Sequence, residues 1–204
     1  MKTGILAFLV LAALAVPASA QQPAGPSTDL SKIEGGSYTL DRGHARIIFS
    51  YTHLGFSTSY GMFTDFTGKL NFDPKAPAKS SLTVTVNLNG IDTTVAKLDE
   101  HLKSSAFFDV AQFPTATFTT TAIKVTGLAS GTITGDLTLH GVTKPVTLDA
   151  TFNGGAVHPM LKVSDLGFNA SGHVKRSDFG MNGFVPMVGD DVTLTISAEF
   201  LHDK

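Results

Sequence analysis

Histidines and carboxylates are the residues of this sequence that could bind a metal ion, and seven His are present. Protein zinc sites commonly combine His, Cys and carboxylate ligands, for example two His one helical turn apart beside a Glu. The histidines here make no such pair and the sequence has no Cys, although His44 and His53 could meet across neighbouring strands. We therefore predict neither a metal site nor a cofactor. For His44, His53 and His101 we expect hydrogen bonds that hold a loop or helix in place, or contacts with a polar ligand group.

Residues that could act as catalytic nucleophiles lack the partners that would activate them. The sequence has no Cys, and it contains neither a Gly-x-Ser-x-Gly motif nor a glycine-rich phosphate loop. Asp99 and His101 are two residues apart, so on a helix their side chains diverge. Four serines lie in polar stretches with no positioned base: Ser57, Ser59, Ser80 and Ser177. The sequence therefore predicts a protein that is not an enzyme.

The densest run of charge is Lys175-Arg176-Ser177-Asp178. In one interpretation Arg176 forms an ion pair with a carboxylate and so closes one end of the fold. In the other, Arg176 faces the phosphate or other polar head group of a ligand, because guanidinium groups form strong hydrogen bonds to such anions. The sequence does not separate these two interpretations.

Phenylalanine dominates the aromatic residues, with fifteen Phe against three Tyr and no Trp. Such side chains could line a tunnel for a hydrocarbon chain, which gains roughly 0.8 kcal/mol for each CH₂ group that leaves water. They could equally fill a protein core without leaving space for a ligand. Composition alone leaves both alternatives open.

The elements that must position these residues are mainly strands. Apolar and polar residues alternate in segments 81–88, 132–139, 146–152 and 192–200, which is typical of a sheet with one buried face. Weaker strand candidates are 46–53, 61–70, 115–125 and 160–163, and residues 140–145 are predicted to form a hairpin connection. About eight antiparallel strands can form a sandwich or a closed barrel, and an eight-stranded barrel can hold one small ligand.

One segment has a helical period instead. In residues 93–110, Val95, Leu98, Leu102 and Ala106 follow one another at spacings of three and four. This spacing predicts an amphipathic helix, with Thr93 or Thr94 as its N-cap and an end before Pro114.

The first twenty residues predict a signal peptide that is cleaved after Ala20. Lys2 precedes an apolar run at 5–16 and a small-residue cleavage pattern at 17–20. This run is shorter than the roughly 20 residues that cross a bilayer, so we expect no stable membrane anchor. Residues 21–36 read as a flexible linker, and 37–204 as one domain. Without Lys2 the chain has 14 basic and 17 acidic residues, a net charge of −3, which gives no indication of a nucleic-acid partner.

Several short motifs occur in a characteristic order along the domain. They are Asp41-Arg42-Gly43-His44, Phe49 with His53, Gly61 to Gly68, Asp99-Glu100-His101-Leu102, Phe107-Phe108-Asp109, Gly135 to Val146, Lys175 to Met181 and Val188 to Val192. In this order and spacing the set resembles the YceI-like family of polyisoprenoid-binding periplasmic proteins, from about Tyr38 to Phe200. Ala45 departs from the Ser that often follows the His, and the Gly-x-Trp signature of true lipocalins is absent.

The resemblance implies an eight-stranded antiparallel lipocalin-like barrel, all-β with one helical excursion, whose interior takes the hydrocarbon chain of an isoprenoid or fatty-chain amphiphile. It also implies a periplasmic location, and some family members form homodimers. On this basis we predict these cavity-lining residues: Phe49, Tyr51, Phe56, Phe63, Phe66, Leu98, Leu102, Phe107, Phe108, Phe118 and Phe168. At the polar opening of the barrel we place His44, His53, Arg176 and Asp178.

Two alternatives to a lipid carrier, store or scavenger stay open at this point. One is a stress-related structural or interaction module whose barrel is filled by its own side chains. The other is a hydrolase that acts on a lipid or quinone. An internal void separates the first alternative from a lipid-binding barrel, and turnover of lipids by the purified protein would indicate the second.

Overall fold

The computed structural model describes residues 25–204. The predicted signal peptide at 1–20 and the first four residues of the predicted linker lie outside the described residues. Eleven strands and one α-helix make up most of the described chain. The strands are β1 (Gly36–Leu40), β2 (Arg46–His53), β3 (Ser57–Phe63), β4 (Phe66–Phe72), β5 (Ser81–Asn87), β6 (Ile91–Asp92), β7 (Thr115–Val125), β8 (Ser130–Leu139), β9 (Val142–Val157), β10 (Ser164–Lys175) and β11 (Asp191–His202).

Eight of these strands close into an antiparallel barrel. Their order around the ring is β1-β4-β5-β7-β8-β9-β10-β11, and β11 pairs again with β1, for example at Phe200 and Leu40. Closure leaves no free edge in the ring, so its backbone groups are paired strand to strand. The sequence prediction of an eight-stranded antiparallel barrel is therefore confirmed.

Strands β2, β3 and β6 extend the barrel wall at one end. β1 and β2 lie end to end along β11, because β1 pairs with its last residues and β2 pairs with Thr193–Ser197. The predicted strand at 61–70 is wrong as a single element, since it is divided between β3 and β4. The chain turns at Thr64 and Asp65, where Thr64 N donates to the Gly90 carbonyl (2.8 Å) and the Asp65 carboxylate accepts from Asn87 Nδ2 (2.8 Å).

The predicted strand at 160–163 is also wrong. These residues form a turn in which Lys162 N donates to the His158 carbonyl (2.9 Å), and the strand begins only at Ser164. Met160 and Leu161, whose apolar side chains suggested a buried strand, are largely exposed.

The helix α1 spans only Ala96–Lys103, so the predicted helix at 93–110 is too long. Neither Thr93 nor Thr94 caps it, because Val95 is the residue before its first turn. Instead Asp99 accepts hydrogen bonds from Thr93 N (2.8 Å) and Oγ1 (2.6 Å), which hold the preceding turn against the helix. After Lys103 the hydrogen bonds change to a series of turns, with Phe108 N donating to the Leu102 carbonyl (3.0 Å), and Phe107 is buried there beside Leu102.

The hairpin predicted at 140–145 is present, but its connection has two residues and not six. β8 and β9 are joined by His140 and Gly141 alone, both with positive φ (52° and 74°). Two positive φ values are typical of the type I′ turn, which matches the twist of paired strands. His140 Nδ1 lies 2.9 Å from the Phe179 carbonyl and so connects this hairpin to the loop that follows β10.

The inward-facing residues form three buried clusters rather than one continuous packed core. One lies around Tyr38, Leu166 and Phe200, the second around Leu88, Phe179 and Met181, and the third around Phe49, Ile91 and Phe107. In β4 burial alternates strictly from Phe66 to Phe72, as period-two patterning predicts. The described part of the predicted linker also contacts the barrel, because Ser27 pairs with Gly155 and Ile33 is buried.

Candidate ligand cavity

The barrel encloses a cavity of about 830 Å³. Small-molecule sites usually measure about 300–1,000 Å³ and are lined mostly by apolar side chains. Most of this wall is Leu, Val, Ile, Ala and Phe, contributed by the inner faces of the strands and by α1. Within residues 25–204, no Asp or Glu lines the cavity.

Ten of the eleven predicted wall residues line this cavity, from Phe49 and Tyr51 on β2 to Phe168 on β10. Phe56 does not line it and is 89% exposed. It lies in the turn between β2 and β3, where Leu54 and Gly55 have positive φ, so the strand alternation that would direct its side chain inward has ended. That the other ten contact a ligand stays a prediction.

Much of the wall was missing from the predicted site. It consists of aliphatic residues on β5 and on β8 to β11, among them Val84, Leu137, Ala150, Ala170 and Ile196. The signal that could have found them is the same period-two alternation that predicted the strands. In a barrel every inward position faces the cavity, whereas the prediction relied on the aromatic residues.

Two groups of aromatic rings line the cavity. Phe72, Phe152, Phe168 and Phe200 form one of them, and the other lies at the end of the cavity that we call the aromatic end. Phe63 lies 5.4 Å from Phe49 and 5.9 Å from Phe108 between ring centroids. Farther along, Phe107 lies 6.3 Å from Phe184, which is exposed. Such tilted, edge-on and stacked pairs contribute beyond their buried area, so they give this end of the cavity a defined shape.

This aromatic end has an opening that we call the mouth, bordered by Leu54, His101, Phe184 and Met187. All four line the cavity and are exposed to solvent. Leu54 N donates to the Met187 carbonyl (2.8 Å), which joins the two loops at the mouth. At the far end Leu128 lines the cavity and is also exposed. The cavity therefore has exposed wall residues at both ends.

Arg176 lies in the cavity wall near the mouth and is only 7% exposed. Its guanidinium donates to three backbone carbonyls, at 2.9 Å from Nε to Gly189, 2.7 Å from Nη1 to Met181 and 2.8 Å from Nη2 to Val188. Among residues 25–204, no carboxylate oxygen lies within 4.0 Å of the Arg176 guanidinium, which is the distance limit for an ion pair. The ion-pair interpretation is therefore wrong. Burial lowers the pKa of Arg176 from its ordinary value.

The other polar side chains of this region also line the cavity. Tyr51 and Ser59 face each other on β2 and β3. His53 forms a backbone bridge with Val188, the residue whose carbonyl accepts from Arg176. His101 on α1 packs edge-on against Phe107, with 5.0 Å between ring centroids. The structure thus places the predicted residues His53 and Arg176 in the wall of one cavity, together with His101.

His44 and Asp178 lie away from the cavity, so their predicted place at the polar opening is wrong. Asp178 is exposed in the turn after β10. His44 is on the barrel surface, with its Nδ1 2.8 Å from the Asp41 carboxylate and 3.8 Å from Glu199. The hydrogen bond with Asp41 raises the pKa of His44, and in return lowers the pKa of Asp41.

The three residues of this surface group offer ligand atoms that lie within 4.8 Å of one another. Because His44 is already hydrogen-bonded to Asp41, with Glu199 at 3.8 Å, we assign the group a structural role in the bend between β1 and β2. Among residues 25–204 no helix has both the length and the apolar character needed to cross a bilayer.

Comparisons with known proteins agree with this architecture. The family model of the YceI-like domain matches residues 38–200. The chain is 43% identical over 169 residues to the protein YceI of Salmonella arizonae, covering 82% of this chain and 87% of that relative. The crystal structure of a Campylobacter jejuni YCEI protein has a TM-score of 0.68 at 32% identity, covering 75% of this chain and 90% of that one.

A more distant structural neighbour is described as a polyisoprenoid binding domain from Saccharophagus degradans. It has a TM-score of 0.59 at 12% identity and covers 83% of this chain and all of that one, so it shows the shared fold alone. The family match and the close relative together cover nearly all of the barrel from β1 to β11. On these grounds, the chain belongs to the YceI-like family.

Proposed function

We propose that this protein binds one long-chain lipid of the isoprenoid or fatty type, with the hydrocarbon chain inside the barrel and the polar group at the mouth. The observation that carries the proposal is the cavity of about 830 Å³ and its almost wholly apolar wall. Water in such a space would find few hydrogen-bond partners. A hydrocarbon chain instead gains about 0.8 kcal/mol for each CH₂ group that it buries.

The cavity favours this function over a barrel filled by its own side chains. Protein interiors are packed about as densely as organic crystals, with few voids larger than a water molecule. A void of about 830 Å³ is far outside that range, so the inward side chains do not fill the barrel. The structural neighbour described as a polyisoprenoid binding domain has the same fold and supports an isoprenoid-type ligand.

Binding rather than catalysis is the proposed role. The cavity wall between residues 25 and 204 has no carboxylate, and the hydrogen-bond partners of Arg176 are backbone carbonyls. Ser59, His53 and His101 also line the cavity, but among the described residues no hydrogen bond joins Ser59 to either histidine, as a nucleophile and its base would require. The signal peptide predicted at 1–20 supports a carrier, storage or scavenging role in the periplasm.

Native mass spectrometry of the gently purified protein tests this function. We expect a mass excess that corresponds to one lipid per chain, and uptake of an added polyprenyl lipid after delipidation. Recovered and added lipids should be chemically unchanged, whereas cleaved products would indicate a hydrolase. A delipidated protein that refuses every polyprenyl and fatty lipid would contradict the proposal.

A matched pair of Phe variants links uptake to the cavity. Phe63→Asp introduces a charge into the aromatic end of the wall, and should abolish uptake because a carboxylate in an apolar site is strongly unfavourable. Phe56→Asp makes the same change at a side chain that is 89% exposed and outside the cavity. It should leave uptake unchanged. Circular dichroism confirms that both variants retain the barrel.

A further inference from the structure

We propose that the lipid head group is an anion, a phosphate or a carboxylate, held at the mouth by Arg176. This inference rests on the proposed lipid-binding function and specifies the chemical class of the ligand. It concerns a binding site for a negatively charged group at one end of an otherwise apolar cavity.

The first observation is the charge of the cavity wall. Among the described residues, Arg176 is the one wall residue whose side chain carries a full charge under ordinary conditions, and no Asp or Glu accompanies it. A charge that is 7% exposed beside a large apolar space is costly unless an opposite charge or many dipoles compensate it. A ligand with an anionic head would bring the missing opposite charge.

The second observation concerns the hydrogen bonds of the guanidinium. A guanidinium has five N–H donors, and three of these donate to the carbonyls of Met181, Val188 and Gly189. Two donors, one on Nη1 and one on Nη2, are left without a protein acceptor in the described part of the chain. Guanidinium and phosphate or carboxylate groups form short, charge-assisted hydrogen bonds of this kind.

Asp190 is the carboxylate that affects the pKa of Arg176, and it already has other hydrogen-bond partners. Burial lowers the pKa of Arg176 and outweighs Asp190, which acts to raise this pKa. The two carboxylate oxygens of Asp190 accept from Ser177 N (2.9 Å) and Ser177 Oγ (2.7 Å). Asp190 therefore secures the turn after β10. It does not form an ion pair with Arg176.

The third observation is the set of polar groups around the mouth. His53 is joined through Val188 to Arg176. His101 packs on Phe107, whose ring centroid lies 6.0 Å from the guanidinium carbon of Arg176. Tyr51 also lines the cavity, and its electrostatic influence acts to raise the pKa of Arg176. Imidazole and phenol groups can each donate a hydrogen bond to an anionic oxygen.

A head-group series with one constant tail tests the inference on the wild-type protein. The delipidated chain is titrated, below the micelle concentration, with hexadecyl phosphate, hexadecanoate, hexadecanol and hexadecyltrimethylammonium. We expect both anions to bind at least tenfold more tightly than hexadecanol, and the cation to bind most weakly. Equal affinity for hexadecanol and hexadecyl phosphate would overturn the inference, and so would tighter binding of the cation.

The same series separates this inference from the function on which it depends. If none of the four amphiphiles binds, the lipid-binding function itself fails. If all four bind equally, lipid binding stands and only the anionic site fails. Inorganic phosphate alone should not bind at millimolar concentration, because most of the affinity comes from the tail. Tight binding of inorganic phosphate would contradict a lipid head-group site.

Variants of Arg176 assign the effect to this residue. Arg176→Lys keeps the charge but loses the planar fork, and Arg176→Met loses both. The advantage of hexadecyl phosphate over hexadecanol should shrink in the first and disappear in the second. Lys175→Met removes the neighbouring exposed charge and should leave this ratio unchanged. An unchanged ratio in a folded Arg176→Met protein would contradict the site. Should neither Arg176 variant fold, the wild-type series still decides.

Discussion

Filling the middle of the cavity should block the hydrocarbon chain without unfolding the barrel. Ala170 on β10 and Ala150 on β9 are partners in the sheet, and both line the cavity. Ala170→Phe adds six ring carbons that point into this space. If they displace about six ligand methylenes, the loss is at most about 5 kcal/mol at ~0.8 kcal/mol each, which corresponds to up to a ~10³-fold rise in Kd.

The assay is isothermal titration calorimetry, in which delipidated wild-type and variant proteins are titrated with hexadecanoate. A chain that shifts around the ring would recover part of the loss, so we expect a Kd at least about tenfold higher. The unfolding free energy should not fall, because the added ring occupies an existing void. Ser171→Phe is the matched control, since Ser171 is exposed on the outer face of the same strand. Unchanged affinity in Ala170→Phe would refute a hydrocarbon tail that passes the inner face of β9 and β10 at Ala150 and Ala170.

Three further predictions concern the residues that shape the barrel. Arg176→Met leaves three backbone carbonyls without their donor and should lower the unfolding free energy, measured by urea denaturation, by about 3 kcal/mol or more, at roughly 1–3 kcal/mol for each buried acceptor left unsatisfied; a loss below about 1 kcal/mol would show that these hydrogen bonds do not hold the loop. Gly141→Ala should cost about 1–2 kcal/mol, because φ is 74° and a Cβ would lie 2.7 Å from the Phe113 ring; a neutral result would exclude the type I′ turn. Asp41→Asn should lower the raised pKa of His44 back toward 6.5, which an NMR titration of the imidazole measures. The stabilisation that protonated His44 contributes is present below pH 6.5 and is lost as pH rises through its raised folded-state pKa. The stabilisation that ionised Asp41 contributes is present above pH 3.8 and is lost as pH falls through its lowered pKa. The wild type should therefore exceed Asp41→Asn in stability most clearly between these two values, and an equal difference at every pH would contradict the pairing.

The sequence predicts most of the barrel because its strands are amphipathic. Alternation in segments 81–88 and 192–200 marks β5 and β11 directly, since each has one face toward the cavity and one toward water. Where one strand is broken by tertiary contacts, the alternation does not reveal it. The break at Thr64 and Asp65 depends on hydrogen bonds to Gly90 and Asn87, which are more than twenty residues distant and invisible to a local pattern.

The candidate site was predictable in most of its aromatic part and in half of its polar part, since His53 and Arg176 line the cavity and His44 and Asp178 do not. Phe49, Phe63 and Phe108 line the cavity as predicted from the motifs. His44 and Arg176 were both assigned to the polar opening, yet only Arg176 lies in the cavity wall near the mouth, whereas His44 lies on the barrel surface. Their positions depend on how the bend after β1 and the loop after β10 fold back onto the barrel. Sequence spacing does not encode these contacts.

The most direct test of the account is a crystal structure of the delipidated protein grown with 16-bromohexadecanoate. Anomalous scattering from bromine locates the end of the tail without reference to any assumed pose. We predict one bromine peak per chain inside the cavity, beyond the aromatic cluster of Phe49, Phe63 and Phe108, with the carboxylate density beside Arg176. A bromine peak on the outer surface of the barrel, with the cavity empty of ligand density, would contradict a lipid chain bound inside it.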